Sequence, residues 1–190
     1  MINESYAGIG SRETPEAMSQ LMRKLAKYLA EIGWTLRSGA ADGADSAFEA
    51  GAVEGNGFCE IYLPWKGFNR HRSSRYVISD EARALAKSVH PVWDELSEGP
   101  KQLHARNCYQ VMGRSLAEPV KFVVCWTADG CESEESRTRN TGGTGTAIAI
   151  ASRLNIPVFN LRNEDALDRL SELVGGLPVE FLPVKQSNLF

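Results

Sequence analysis

The chain has 190 residues, 21 Lys+Arg against 24 Asp+Glu, and 43% hydrophobic residues. That length suits one domain spanning 1–190 with a sizeable core, and a net charge of −3 lacks the global positive field of a protein that coats DNA, although a local patch can still do so. No run of about 18 apolar residues exists, so no membrane span is expected. Met1–Tyr6 carries no basic segment ahead of an apolar run, so a cytoplasmic location is expected. The four cysteines show no CxxC spacing and no Cys/His cluster; free thiols and no metal are expected.

Apolar Tyr6–Ile9 reads as a first strand and ends at Gly10-Ser11-Arg12. Thr14-Pro15-Glu16 reads as a helix start, with a capping hydroxyl, a proline whose missing N–H costs nothing, and an acid in the first turn. Met18, Leu21, Met22, Leu25, Leu29 and Ile32 recur at helical spacing until Gly33. Trp34–Leu36 is the second strand, leading into Ser38-Gly39-Ala40-Ala41-Asp42-Gly43 and a second helix that runs through Val53. Cys59–Leu63 is the third strand. Helical patterns over Asp80–Ser88 and Lys101–Leu116 precede the apolar strand Val120–Trp126. The glycine-rich Thr141–Thr146 then opens a small-residue helix, Ala147–Leu154. Ile156–Asn160 is a last strand and Glu164–Val174 a last helix.

Strands separated by helical crossovers predict an α/β, Rossmann-like fold with a mostly parallel sheet and helices on both faces. The continuous apolar strands suit burial on both sides. Such sheets bind ligands beyond the carboxyl ends of their strands. Three glycine-bearing loops fall there: Gly8–Arg12, Ser38–Gly43 and Thr141–Thr146. Glycine admits close backbone approach, and helix N-termini offer unpaired N–H groups with a positive dipole end. Each loop alone is ordinary punctuation; the three together favour a phosphate-binding site.

Two familiar sites are disfavoured. The Walker pattern GxxxxGK[ST] is absent. Glu13 stands where a dinucleotide fingerprint needs its third glycine, and the second strand ends in Arg37-Ser38-Gly39 instead of a ribose-binding acid, which disfavours an NAD dehydrogenase.

Gly8–Arg12, Ser38–Asp45, Arg106-Asn107 and Thr141–Thr146, taken in order, resemble the SLOG superfamily. It groups the Smf/DprA DNA-processing proteins with the Lonely Guy (LOG) phosphoribohydrolases, and the resemblance spans about residues 5–161. Leu103–Asn107 resembles the LOG segment MHxRK, which puts Arg106 at the arginine implicated in catalysis. Thr141–Ala149 resembles PGGxGTxxE, with Thr141 in place of the proline and Ala149 in place of the catalytic glutamate. Glycosidic cleavage needs a carboxylate beside the sugar, so the LOG reaction does not carry over intact; Asp42, Asp45, Glu13 or an acid of 129–135 would have to substitute. The DprA-like branch implies single-stranded DNA as partner, and the superfamily implies a homodimer, for which Lys101–Leu116 offers an apolar face.

Residues 64–77 carry Lys66, Arg70, His71, Arg72 and Arg75 among Trp65, Phe68 and Tyr76, with no acid. Such a loop suits a base, a phosphate chain or a single strand; the alternative is a surface loop whose aromatics fold onto the body. The polar 128–140 segment reads as a mobile loop and a candidate lid, or a loop without a role. Arg12 either neutralises a phosphate or pairs with Glu16; Asp42 caps the second helix or meets ligand, and Asp45 is favoured as structural. His90 and His104 are too far apart in sequence to suggest a metal.

These readings converge on a binder of a nucleotide or nucleotide-derived ligand that needs no cofactor, acting as sensor, sequestering protein or glycosidic hydrolase. The expected ligand contacts are Gly8, Gly10, Ser11, Arg12, Ser38, Gly39, Asp42, Asn107, Gly142, Gly143, Thr144, Gly145 and Thr146, with Arg106 as the candidate catalytic residue. A DprA-like single-strand DNA-binding protein is the alternative.

Overall fold

The structure, a computed structural model, describes residues 4–181. The domain expected over 1–190 therefore extends at both ends beyond the described residues. Five strands form one sheet: β1 (Ser5–Gly10), β2 (Thr35–Ser38), β3 (Cys59–Ile61), β4 (Val123–Trp126) and β5 (Val158–Asn160). Their order is β3-β2-β1-β4-β5 and every pairing is parallel. Helices α1 (Glu16–Glu31), α2 (Ala44–Glu54), α3 (Asp80–Val89), α4 (Glu98–Met112), α5 (Gly145–Arg153) and α6 (Ala166–Val174) make the crossovers and the outer layers.

Alternation along the strands divides the core in two. Tyr6, Leu36, Ile61 and Val124 point to the face covered by α1, α2 and α6, where they meet Leu25, Leu29, Phe48 and Leu170. Ala7, Ile9, Val123 and Cys125 point to the face covered by α3, α4 and α5. The central strands β1 and β4 are thus buried on both faces, as their apolar runs require, whereas edge strand β3 is only partly buried.

Several boundaries differ from the sequence expectation, with local reasons. Thr14 does not cap α1; its hydroxyl donates to the Ser11 carbonyl at 2.7 Å and Pro15 holds the N-cap position. The fourth helix starts earlier than expected, at Glu98, and ends at Met112, before Gly113 with φ 70°. The apolar face offered there for self-association is used inside the chain: Ala105 to Val111 are all buried. The 128–140 segment is not a loose loop. Asp129 accepts from the hydroxyls of Thr127 (2.7 Å), Thr138 (2.6 Å) and Thr141. Glu132 pairs with Arg169, and Glu134 with Arg137 and Arg153. No helix among the described residues is long and apolar enough to cross a membrane.

Candidate functional site

The strand order reverses between β1 and β4, and a crevice of about 550 Å³ opens there beyond their carboxyl ends. This is where an open parallel sheet leaves room, because the connections from the two central strands leave toward opposite faces. Gly10–Glu13 after β1, the start of α2, one face of α4, and the turn Arg139–Thr144 form its walls.

Arg106 and Asp45 form the floor. The Arg106 Nη1 donates to the Gly39 carbonyl and, at 3.2 Å, to the Tyr62 carbonyl; Nε donates to Asn107 Oδ1 at 3.0 Å. Its carbon lies 5.8 Å from the Phe68 ring centre. The guanidinium packs so tightly on Gly39 that a Cβ there would fall 1.7 Å from Nη1. Asp45, 3% exposed, lies 3.8 Å from Arg106. Burial pushes its carboxyl up to about 6, against the opposing pull of Arg106, the Ala41 and Gly10 N–H groups and Gln110.

One wall is the glycine-rich turn. Thr138 accepts from Asn140 N–H, Thr141 accepts from Thr138 N–H, and Asp129 holds both hydroxyls from behind. Asn107 Nδ2 donates to the Gly143 carbonyl at 2.9 Å, tying the turn to α4. Gly142 has φ 61° and ψ −151°, a conformation in practice reserved for glycine. A Cβ at Gly142 or Gly143 would meet nothing within 4 Å. The turn runs directly into α5, whose N-terminus carries no side-chain cap. Across that junction the Gly145 N–H donates to the Gly142 carbonyl. Arg12 and Arg139, both exposed and without an ion pair among the described residues, stand at the rim.

Gly10, Ser11, Arg12, Arg106, Asn107, Gly142, Gly143 and Thr144 are brought together around the crevice. The other expected contacts lie elsewhere. Gly8 and Ser38 sit beneath it, joined by a 2.7 Å hydrogen bond from the serine hydroxyl to the Gly8 carbonyl. Gly39 supports Arg106 from below. Asp42 is exposed, neither lining the crevice nor capping α2. Gly145 packs beside Arg137, and the Thr146 hydroxyl is engaged with His104 Nδ1 at 2.8 Å. Ala149 is fully buried within α5.

Asp45, His104 and Gln110 line the crevice without having been expected as contacts. A signal for Gln110 was present: positions 103, 106, 107 and 110 fall on one helical face, and three of the four are polar although Ala105–Val111 are buried. His90 and His104, distant in sequence, have ring centres 4.3 Å apart. Burial, with His90 and Arg106 beside it, lowers the His104 imidazole to about 4.

Residues 1–63 match the family model of DNA recombination-mediator protein A. The N-terminal third of the chain is DprA-like, and with it the resemblance to the SLOG superfamily stands. The matched segment holds β1, α1, β2, α2 and β3, hence Gly10–Arg12, Gly39 and Asp45, and stops before Arg106 and the glycine-rich turn. No curated protein and no solved structure matches the chain.

The loop after β3 is folded onto the DprA-like segment. His71 Nε2 meets Glu49 at 2.7 Å, Asn69 Nδ2 donates to the Ala40 carbonyl at 2.9 Å, and Phe68 is buried under Arg106. Trp65 remains 41% exposed, and Lys66, Arg70 and Arg72 are exposed without ion pairs among the described residues.

Proposed function

We propose that the crevice binds a nucleotide or nucleotide-derived small molecule, with a phosphate against Gly142–Thr144 and the start of α5. The observation that carries this reading is the open space over Gly142 and Gly143, beside a helix N-terminus that no side chain caps. Arg12 and Arg139 add positive charge at the rim, and the crevice volume lies within the roughly 300–1,000 Å³ range of small-molecule sites. Ribose and base then extend toward the floor formed by Arg106 and Asp45. Thr144 contributes its hydroxyl, whereas that of Thr146 already belongs to His104.

Thermal shift against mono-, di- and cyclic nucleotides and ADP-ribose derivatives tests this. A ligand at about 100 times Kd adds roughly 2.7 kcal/mol, which raises Tm by about 5–10 °C in a chain of this size. No shift with any member of the panel overturns the reading.

The second reading is single-stranded DNA binding, in keeping with what the matched family is named for. Exposed Lys66, Arg70 and Arg72 beside half-exposed Trp65 favour it, because such a surface can follow a phosphate chain and stack a base. A homodimer remains part of the proposal on the resemblance alone, and sedimentation measures it.

A further inference from the structure

Two carboxylates line the crevice, and their placement sets them apart. Glu13 is exposed at the mouth, whereas Asp45 is buried on the floor beside Arg106 and Gln110 of α4. These three floor side chains touch one another and are not used up by the protein. Arg106 spends Nη1 on the Gly39 and Tyr62 carbonyls and Nε on Asn107, which leaves Nη2 without an acceptor among the described residues. Gln110 turns its amide nitrogen to Asp45 Oδ2 at 3.5 Å, which leaves Oε1 without a donor. Asp45 takes Ala41 N–H at 3.4 Å on the same oxygen, with the Gly10 N–H bearing on the carboxyl and Arg106 standing off at 3.8 Å. An ionised carboxylate has about four acceptor positions, so it keeps room for a further donor. Arg106 Nη2 and Gln110 Oε1 belong to side chains that are almost wholly buried, yet neither atom is enclosed in the protein; both open into the crevice that their side chains line. The floor therefore offers a ligand one donor beside two acceptors.

We propose that this floor reads the base of the bound nucleotide and that the base is guanine. The proposal rests on the nucleotide-binding reading above and deepens it by naming the base. Guanine presents an acceptor, O6, next to two donors, N1–H and the 2-amino group. Adenine offers one donor and one acceptor on that edge; cytosine and uracil each offer one donor with two acceptors. Only guanine satisfies both floor acceptors while Arg106 donates. Any other base leaves a buried acceptor facing no donor, which costs binding free energy.

The surroundings suit a planar ring held edge-on. The Phe68 ring and two backbone carbonyls fix the guanidinium before a ligand arrives, so Nη2 is aimed in advance. Ile9, Leu103 and Trp126 line the crevice and supply apolar surface for the faces of the ring. Asn107 joins the floor to the phosphate turn, accepting from Arg106 Nε through Oδ1 and donating to the Gly143 carbonyl through Nδ2. One side chain thus sets the spacing between the two ends of the ligand.

The test measures thermal shift of the full chain against the 5′-monophosphates of guanosine, adenosine, cytidine, uridine, inosine and xanthosine. It is run above the Asp45 titration at about 6, so that the carboxylate is ionised and accepts. Guanosine should bind at least about tenfold tighter than adenosine, cytidine or uridine, the scale of one well-made bidentate base contact. Inosine lacks the 2-amino group and should lose a similar factor. Asp45→Asn replaces an acceptor by an amide whose N–H matches the 2-oxygen of xanthine, so its preference should move from guanosine to xanthosine. Equal binding of all bases, or preference for a base other than guanine, overturns the proposal and leaves the nucleotide-binding reading standing; no shift with any nucleotide removes both. Guanosine preference unchanged in Asp45→Asn overturns it as well. Where that variant fails to fold, inosine binding as tightly as guanosine to the wild type does so instead.

Discussion

Arg106 is held by a glycine as much as by an acid. With Nη1 bonded to the Gly39 carbonyl and a Cβ excluded at 1.7 Å, the guanidinium occupies the volume any other side chain at position 39 would fill. Gly39→Ala should therefore push Arg106 off Asp45, destabilising the fold by about 1–3 kcal/mol, as overpacking does. Nucleotide affinity should fall as well, because the floor of the crevice moves. Gly143 is the opposite case: its Cβ would meet nothing within 4 Å, and its backbone needs no left-handed conformation. Gly143→Leu should leave the urea midpoint nearly unchanged and abolish the nucleotide-induced thermal shift by filling the phosphate position. Unchanged affinity in Gly143→Leu would remove the turn as the phosphate site. An unchanged urea midpoint in Gly39→Ala would mean that Arg106 has another place to go.

The elements around the crevice differ in how far they were readable from residues alone. α1 carries a long helical periodicity and β1 and β4 short apolar runs, and these signals place each within a few residues of its observed span. The order of the glycine-bearing loops along the chain also located the carboxyl edge of the sheet. The 128–140 segment reads as a mobile loop from its composition, whereas its order comes from side chains that meet only in space. Asp129 bonds Thr138 and Thr141, nine and twelve positions on, and Glu132 reaches Arg169 across the sheet edge. Its composition resembles that of a loose loop; its network makes it the buttress of the glycine-rich turn. Asp45 reads as a helix-start acid for a similar reason: an acid in a first turn has an ordinary local explanation, whereas in the fold it is buried beside Arg106 of α4. The loop after β3 keeps a separable function at this scale. Under the single-strand reading, Lys66, Arg70 and Arg72 together contribute about −2 to the slope of log K for an oligothymidylate against log salt, at roughly −0.7 per phosphate contact. Replacing all three by serine should flatten the slope by that amount while the nucleotide thermal shift persists, since none of them lines the crevice. An unchanged slope would take the loop out of contact with nucleic acid.

Across the whole molecule, a net charge of −3 coexists with a crevice lined by Arg12, Arg106 and Arg139 against Glu13 and Asp45, so three cations face two carboxylates at the switch point. The same burial that creates the floor ties global stability to pH through two groups of opposite sign. Asp45 titrates near 6 when folded, above its ordinary value; the folded state binds the extra proton, so its contribution is present below about pH 4 and is lost as pH rises through 6. His104 titrates near 4 when folded, below its ordinary value; the unfolded state binds the extra proton, so its contribution is present above about 6.5 and is lost as pH falls through 4. His90, lowered by burial and by Arg137, acts in the same sense as His104. Asp129 lies outside this window, since its contribution fades only between about 4 and 2. Between pH 4 and 6 the Asp45 and His104 slopes oppose each other, and the wild-type urea midpoint should vary little on their account. His104→Asn, which keeps a hydrogen-bonding atom toward Thr146, should leave the Asp45 slope exposed, so that its urea midpoint falls as pH rises from 4 to 6. Asp45→Asn should do the reverse, rising with pH over the same range, whatever its absolute stability. Parallel pH profiles for the two variants would mean that these groups do not hold the folded-state protonation that the crevice imposes on them.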